Sequence, residues 1–96
     1  RAYVIPRAIE RGVDPKMALY IIKYESRYDP LAVGDRHLTC KRTGKPIRSR
    51  GLYQINDCAW PEIDDKTAFS VESSTDWALE QMKINPNIWS VWKNRK

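Results

Sequence analysis

Residues 14–25 read DPKMALYIIKYE, and this stretch decides the fold. Asp14 can accept hydrogen bonds from the first free amides of a helix, and Pro15 suits the first helical position because its missing N–H costs nothing there. A residue that precedes proline is pushed out of the α region, so the helix must end before Pro30. The stretch therefore predicts a helix over about 15–27.

One face of this helix carries a stripe at positions i, i+3, i+4 and i+7, occupied by Ala18, Ile21, Ile22 and Glu25. The stripe is apolar until its last member, so Glu25 is expected at the core or in a cleft lined by core residues. Burial and the negative end of the helix dipole both disfavour the charged carboxylate and raise its pKa. A carboxyl that is protonated near neutral pH can act as a general acid. The alternative is that Glu25 reaches solvent or pairs with Arg27.

Two blocks that follow, ESRYDPLAVG at residues 25–34 and SRGLYQIN at residues 49–56, resemble the soluble lytic transglycosylase (SLT) catalytic domain of the lysozyme-like superfamily. The likeness lies in a Glu-Ser pair at a helix end, an extended D-P-x-A-x-G loop and a G-L-Y-Q-I segment. It is dense from Asp14 to Trp60 and thinner as far as Trp92.

The resemblance implies a mainly α, lysozyme-like fold, with about five short helices around the central helix 15–27. Any β-structure is expected as a small hairpin in the 33–50 segment. Residues 1–96 are expected to form one domain, a fragment or mature form of a longer chain. Neither a metal nor a cofactor is implied.

Other helices are indicated by local signals. The apolar residues within 2–11 fall on one face of a helix, and a glycine that can end the helix follows them. This pattern predicts a first helix over residues 2–11. Ser73 and Asp76 resemble a capping box at the start of a later helix, which Pro86 ends.

The resemblance also implies cleavage of the β-1,4 bond between N-acetylmuramic acid and N-acetylglucosamine in peptidoglycan. In that family a single glutamate, here Glu25, protonates the glycosidic oxygen and then takes the proton from the C6 hydroxyl of the sugar. The C6 oxygen closes a 1,6-anhydro ring, so positioning replaces an activated water.

The alternative of the same fold is a hydrolytic lysozyme, which needs a second carboxylate. Retaining lysozymes carry it just before the glycine of the second block, where this chain has Ser49 and Arg50. Asp29, Asp35 or Asp57 in the cleft would make hydrolysis plausible again. A second alternative is a non-catalytic module that binds the cell wall or serves a structural role.

Candidate substrate contacts are Ser26, Ser49, Tyr53, Gln54 and Trp89. The resemblance places Gln54 in the cleft, bonded to an N-acetylated sugar. Tyr53 either stacks on a sugar face or packs in the core. A tyrosine that many family members carry late in the chain is missing, and Trp89 is the candidate to fill its place.

The 17 basic and 12 acidic residues give a net charge of +5, which suits an anionic polymer. The densest basic cluster, within residues 41–50, is expected as a solvated loop, and no helix-turn-helix or zinc-finger spacing accompanies it. The resemblance implies peptidoglycan strands as the partner rather than nucleic acid. No apolar run reaches membrane-spanning length. The resemblance further implies an extracytoplasmic domain (periplasmic, secreted or virion-associated) that is monomeric and peripheral to a membrane at most.

Cys40 and Cys58 match no metal-binding spacing. They form either a disulfide or two unrelated thiols, and we favour the disulfide. A bridge would stabilise so small a domain by roughly 3 kcal/mol in the chain-entropy model and would imply an oxidising compartment.

Overall fold

Helices dominate the architecture. The computed structural model describes residues 2–95. These contain the α-helices α1 (Val4–Glu10), α2 (Pro15–Ser26), α3 (Asp65–Phe69), α4 (Val71–Ile84) and α5 (Ser90–Lys93), with a 3-10 turn at Pro86–Ile88. An antiparallel sheet is formed in the order β1 (Val33–Gly34), β2 (Ser49–Arg50), β3 (Ile55–Asn56). The predicted mainly α fold with a small β-element is confirmed.

Helix α2 lies at the centre, as its caps and stripe predict. The Asp14 carboxylate accepts a hydrogen bond from the Lys16 amide at 2.9 Å. Ala18, Ile21 and Ile22 are at most 1% exposed, and α2 packs against α1 and α5. Burying these apolar side chains is the main favourable term in holding the helix. The helix ends in a left-handed residue, so its last turn, which carries the candidate acid, is fixed between the core and the following loop.

Two features of the later helices differ from the sequence prediction. Ser70, not Ser73, caps α4, because the Ser70 hydroxyl accepts from the Ser73 amide at 3.1 Å. The second is the five-residue helix α3, which no local sequence signal predicted. Its N-cap is Asp64, which accepts from the Thr67 amide at 2.8 Å. A helix this short has no apolar periodicity to reveal it.

The prediction that residues 41–50 form a solvated basic loop is wrong for Arg50, which is 2% exposed. Its Nε donates to the Ile55 carbonyl at 3.1 Å, and its Nη1 donates to the Asp65 carboxylate at 2.9 Å. Arg48 binds the same carboxylate at 2.8 Å. These contacts attach the small sheet to α3.

The predicted disulfide is confirmed. Cys40 and Cys58 are bonded, with Cα atoms 5.7 Å apart. The bridge connects the loop between β1 and β2 to the turn that follows β3.

Gly51 occupies a place that other residues cannot take without strain. Its φ is +76°, and a Cβ built there would lie 2.2 Å from the Ala68 carbonyl oxygen. The turn after β2 thus runs directly against the backbone of α3. Gly44 has a similar φ of +71°, but nothing lies within 4 Å of its Cβ position.

We expect Gly51→Ala to destabilise the fold by about 3 kcal/mol or more, since backbone strain and an overpacked contact add together. Gly44→Ala is the matched control and should cost about 1 kcal/mol, from the positive φ alone. Chemical denaturation of both variants measures the difference. Equal losses would contradict the close approach at α3.

Candidate active site

A cavity of about 290 Å³ lies between the end of α2, the sheet and the α4–α5 region. Its polar lining comprises Glu25, Asp35, Ser49, Gln54, Asn56 and Ser90, and its aromatic lining comprises Tyr53, Trp60, Trp77 and Trp89. Elements distant in sequence thus bring carboxyl, amide and indole groups to one concave surface. Such a combination is typical of a ligand site.

Glu25 lies in the last turn of α2 and is half-buried in this cavity. Burial raises its pKa from the ordinary 4.5 to about 7, and the negative charge of Asp35 adds to the shift. At neutral pH a large share of the molecules therefore carries a protonated carboxyl in the cavity. This is the state that a general acid needs.

Asp35 supplies a second carboxylate at the cavity. It follows β1 in a left-handed conformation, with φ of +60°, and accepts a hydrogen bond from the Ser49 hydroxyl at 2.5 Å. Of the other aspartates considered, Asp57 is bonded to Arg48 and Asp29 to the amide of Leu31. Neither of these two lines the cavity. The lone-acid arrangement implied by the family resemblance is therefore not what the cavity contains.

Gln54 lines the cavity, where the sequence places it, and its φ of +51° is unusual for a non-glycine residue. Its Nε2 donates to the carbonyls of Gly51 and Ala32, at 2.9 and 3.2 Å. Within residues 2–95 its Oε1 accepts no hydrogen bond, and a Cβ at position 34 would lie 2.4 Å from it, so Gly34 leaves room for this amide. The amide oxygen is thus available to a ligand N–H.

Other candidate ligands have internal roles. Tyr53 is fully buried, and its hydroxyl shares a hydrogen bond with Thr75 at 2.8 Å, so its ring packs in the core. Trp89 is 5% exposed and donates from Nε1 to the Tyr53 carbonyl at 2.9 Å. Ser26 does not line the cavity, because its hydroxyl donates to the Ile22 carbonyl one turn back in α2.

Two aromatic residues that were not predicted as site residues line the cavity. Trp60 and Trp77 are partly exposed, and their rings meet edge-to-face with centroids 5.0 Å apart. Trp77 in turn contacts Trp89 at 6.2 Å, which makes a continuous indole wall. Asn56, which lies in β3, also lines the cavity. The preference of sugar clefts for tryptophan was the signal that could have identified the wall.

A family model described as a transglycosylase SLT domain matches residues 2–93. No curated protein and no solved structure matches the chain. The matched segment includes every residue of the cavity described above and both blocks, 25–34 and 49–56, that carry the resemblance in the sequence.

The raised pKa of Glu25 makes the stability depend on pH. Because the folded chain binds this proton more tightly than the unfolded chain, the contribution of Glu25 is most favourable below pH 4.5 and is lost as the pH rises towards about 7. Glu25→Gln should therefore raise Tm more at about pH 8 than at about pH 5. Thermal unfolding of wild type, Glu25→Gln and the exposed control Glu62→Gln measures this. A gain that is the same at both pH values, or shared by the control, would contradict the buried-acid assignment.

Proposed function

The chain belongs to the transglycosylase SLT domain family, and from this premise we propose that it cleaves the MurNAc-β-1,4-GlcNAc bond of peptidoglycan with Glu25 as its acid and base. Membership implies peptidoglycan lytic transglycosylase activity in general, and peptidoglycan lies outside the cytoplasm. None of the helices in residues 2–95 is long and apolar enough to cross a membrane. The observation that carries the proposal is a carboxyl with a pKa of about 7 in an indole-lined cavity.

In the proposed reaction, protonated Glu25 donates its proton to the glycosidic oxygen. The bond from that oxygen to C1 of the muramic acid breaks, and positive charge develops at C1. The Glu25 carboxylate then accepts the proton of the C6 hydroxyl while the C6 oxygen forms a bond to C1. The products are a free GlcNAc hydroxyl and a 1,6-anhydro-MurNAc end, and Glu25 is again protonated for the next cycle.

Substrate positioning in this proposal comes from groups that the cavity leaves available. The Gln54 amide oxygen can accept from an N-acetyl N–H, and the faces of Trp60 and Trp77 suit the C–H groups of a pyranose. Ser49 acts through Asp35, whose carboxylate it holds in place by a hydrogen bond. Fixing the sugar in this way raises the effective concentration of its C6 hydroxyl at C1.

The presence of Asp35 favours a second candidate function, hydrolysis by a lysozyme-type mechanism. Two carboxyl groups at one glycan site are the usual equipment of a glycosidase, with one as acid and the other as base or nucleophile. Asp35 is close enough to Glu25 to raise its pKa by charge repulsion. The two functions differ in their products by one molecule of water.

We expect peptidoglycan digested with the wild-type chain to give anhydro-muropeptides in mass spectra. Glu25→Gln should lower the rate by roughly 10²- to 10⁴-fold, because proton transfer to the leaving oxygen is lost. Glu62→Gln changes an exposed glutamate that does not line the cavity; it is the control and should leave the rate unchanged. Products with reducing ends would contradict the transglycosylase mechanism and indicate hydrolysis. If wild type gave no products, the chain would instead be a module that binds the cell wall or serves a structural role.

Asp35→Asn separates the two mechanisms. The asparagine keeps an acceptor for Ser49 and removes the charge that raises the pKa of Glu25. For a transglycosylase we expect the same anhydro products, with the basic limb of the kcat/KM pH profile moved to lower pH. If Asp35 were a hydrolytic base or nucleophile, turnover itself would be lost at every pH, which would contradict its role as a mere neighbouring charge.

A further inference from the structure

A second depression, of about 510 Å³, adjoins the sheet at the disulfide. We name it the basic groove; its charged lining residues are Arg36, Arg42, Lys45, Arg48 and Asp57, and Cys40 and Cys58 also line it. Four cations and one carboxylate give it a strong positive charge. Nothing in the proposed reaction uses these residues.

The basic groove adjoins the active-site cavity at the end of the sheet where β1 ends, β2 begins and β3 ends. Three pairs of chain neighbours contribute one residue to the cavity and the other to the groove: Asp35 and Arg36, Ser49 and Arg48, Asn56 and Asp57. Consecutive Cα atoms are about 3.8 Å apart, so at each pair the groove begins one residue from the cavity. A substituent that extends from a sugar in the cavity towards this end of the sheet therefore meets the groove.

The cations of the groove differ in whether they are already bound to groups of the protein. Arg48 is bound to Asp57 and to Asp65 and serves the fold. Arg42 donates one N–H to the Cys58 carbonyl. Within residues 2–95, Arg36 and Lys45 form no ion pair, and Arg42 forms none either. Three positive charges are thus left for an external anion, held in place by the disulfide.

We propose that the basic groove binds free carboxylates of the peptide branch carried by the glycan strand whose sugar occupies the cavity. This inference rests on the proposed function. It adds a substrate class, namely glycan strands whose peptide branches carry free carboxylates that are not amidated. An anion attached to the bound sugar is favoured over a separate phosphate polymer because the groove adjoins the cavity. Guanidinium groups form paired hydrogen bonds with carboxylates, which suits the two arginines that remain available.

The test compares three soluble substrates: strands with acidic peptide branches, the same strands with the branch carboxylates amidated, and strands without peptides. The groove variant is Arg36→Gln with Lys45→Gln, which spares Arg48 and every cavity residue. The matched control is Lys16→Gln with Lys83→Gln, two exposed lysines outside both sites that change the net charge equally.

With wild type we expect the lowest KM on acidic branches. The groove variant should raise that KM roughly five- to tenfold, the size expected from two partly exposed charge contacts, with kcat unchanged. Amidation of the branch carboxylates should raise the KM of wild type by the same factor, and it should not change the KM of the groove variant further. Equal KM values on all three substrates, or the same rise in the control variant, would overturn the inference while the proposed function stands.

A binding measurement keeps the inference testable if no strand is cleaved. An acidic peptide branch is titrated into the isotope-labelled chain, with its amidated form and poly(glycerol phosphate) as comparisons. We expect amide shifts in residues 36–48 with the acidic peptide and their loss on amidation. Shifts produced by the phosphate polymer alone would assign the groove to that polymer and overturn the inference.

Discussion

The buried guanidinium of Arg50 is the contact on which the site depends. Strands of two residues cannot hold a sheet by their ladder bonds alone. Burying a charge costs several kcal/mol unless it is paired, and here Asp65 and the Ile55 carbonyl provide the partners. Since Asp65 also binds Arg48, one carboxylate of α3 holds both ends of the segment 48–50, which contains β2. The short helix α3 therefore matters less for its own packing than for placing the sheet, and with it Asp35, beside α2.

The two carboxyl groups of the cavity have different environments, and the different roles proposed for them rest on this difference. Glu25 ends an apolar stripe and is half-buried, so the cost of removing its charge from water favours the protonated form. Asp35 is exposed and accepts a hydrogen bond from the Ser49 hydroxyl. Pairs of titratable groups in contrasting surroundings are a common basis for assigning an acid and its charged neighbour.

Sequence signals that act over a few residues predicted the features that depend on short-range interactions. The N-cap, the proline and the apolar stripe fixed α2 to within one residue and marked Glu25, because all of these act within a few residues. Arg50 could not be recognised as buried, since its partner Asp65 approaches only after the chain has folded. Asp35 needed a left-handed backbone and the Ser49 hydroxyl to reach the cavity, neither of which its sequence position reveals. Tyr53 and Ser26 have suitable side chains for ligands, yet both hydroxyls are used internally.

Charge places a further constraint on a site that contains two carboxyl groups. A glycan with acidic branches would be repelled by Asp35, and by Glu25 once its proton has left. A net charge of +5 attracts such a polymer to the surface as a whole but does not orient it in the cavity. Orientation needs cations beside the site that do not neutralise its acids. The chain achieves this separation at one end of the sheet, where Asp35, Ser49 and Asn56 line the cavity and their chain neighbours Arg36, Arg48 and Asp57 line the basic groove. The disulfide completes the arrangement by holding a loop of like charges, which would otherwise repel one another, against the sheet.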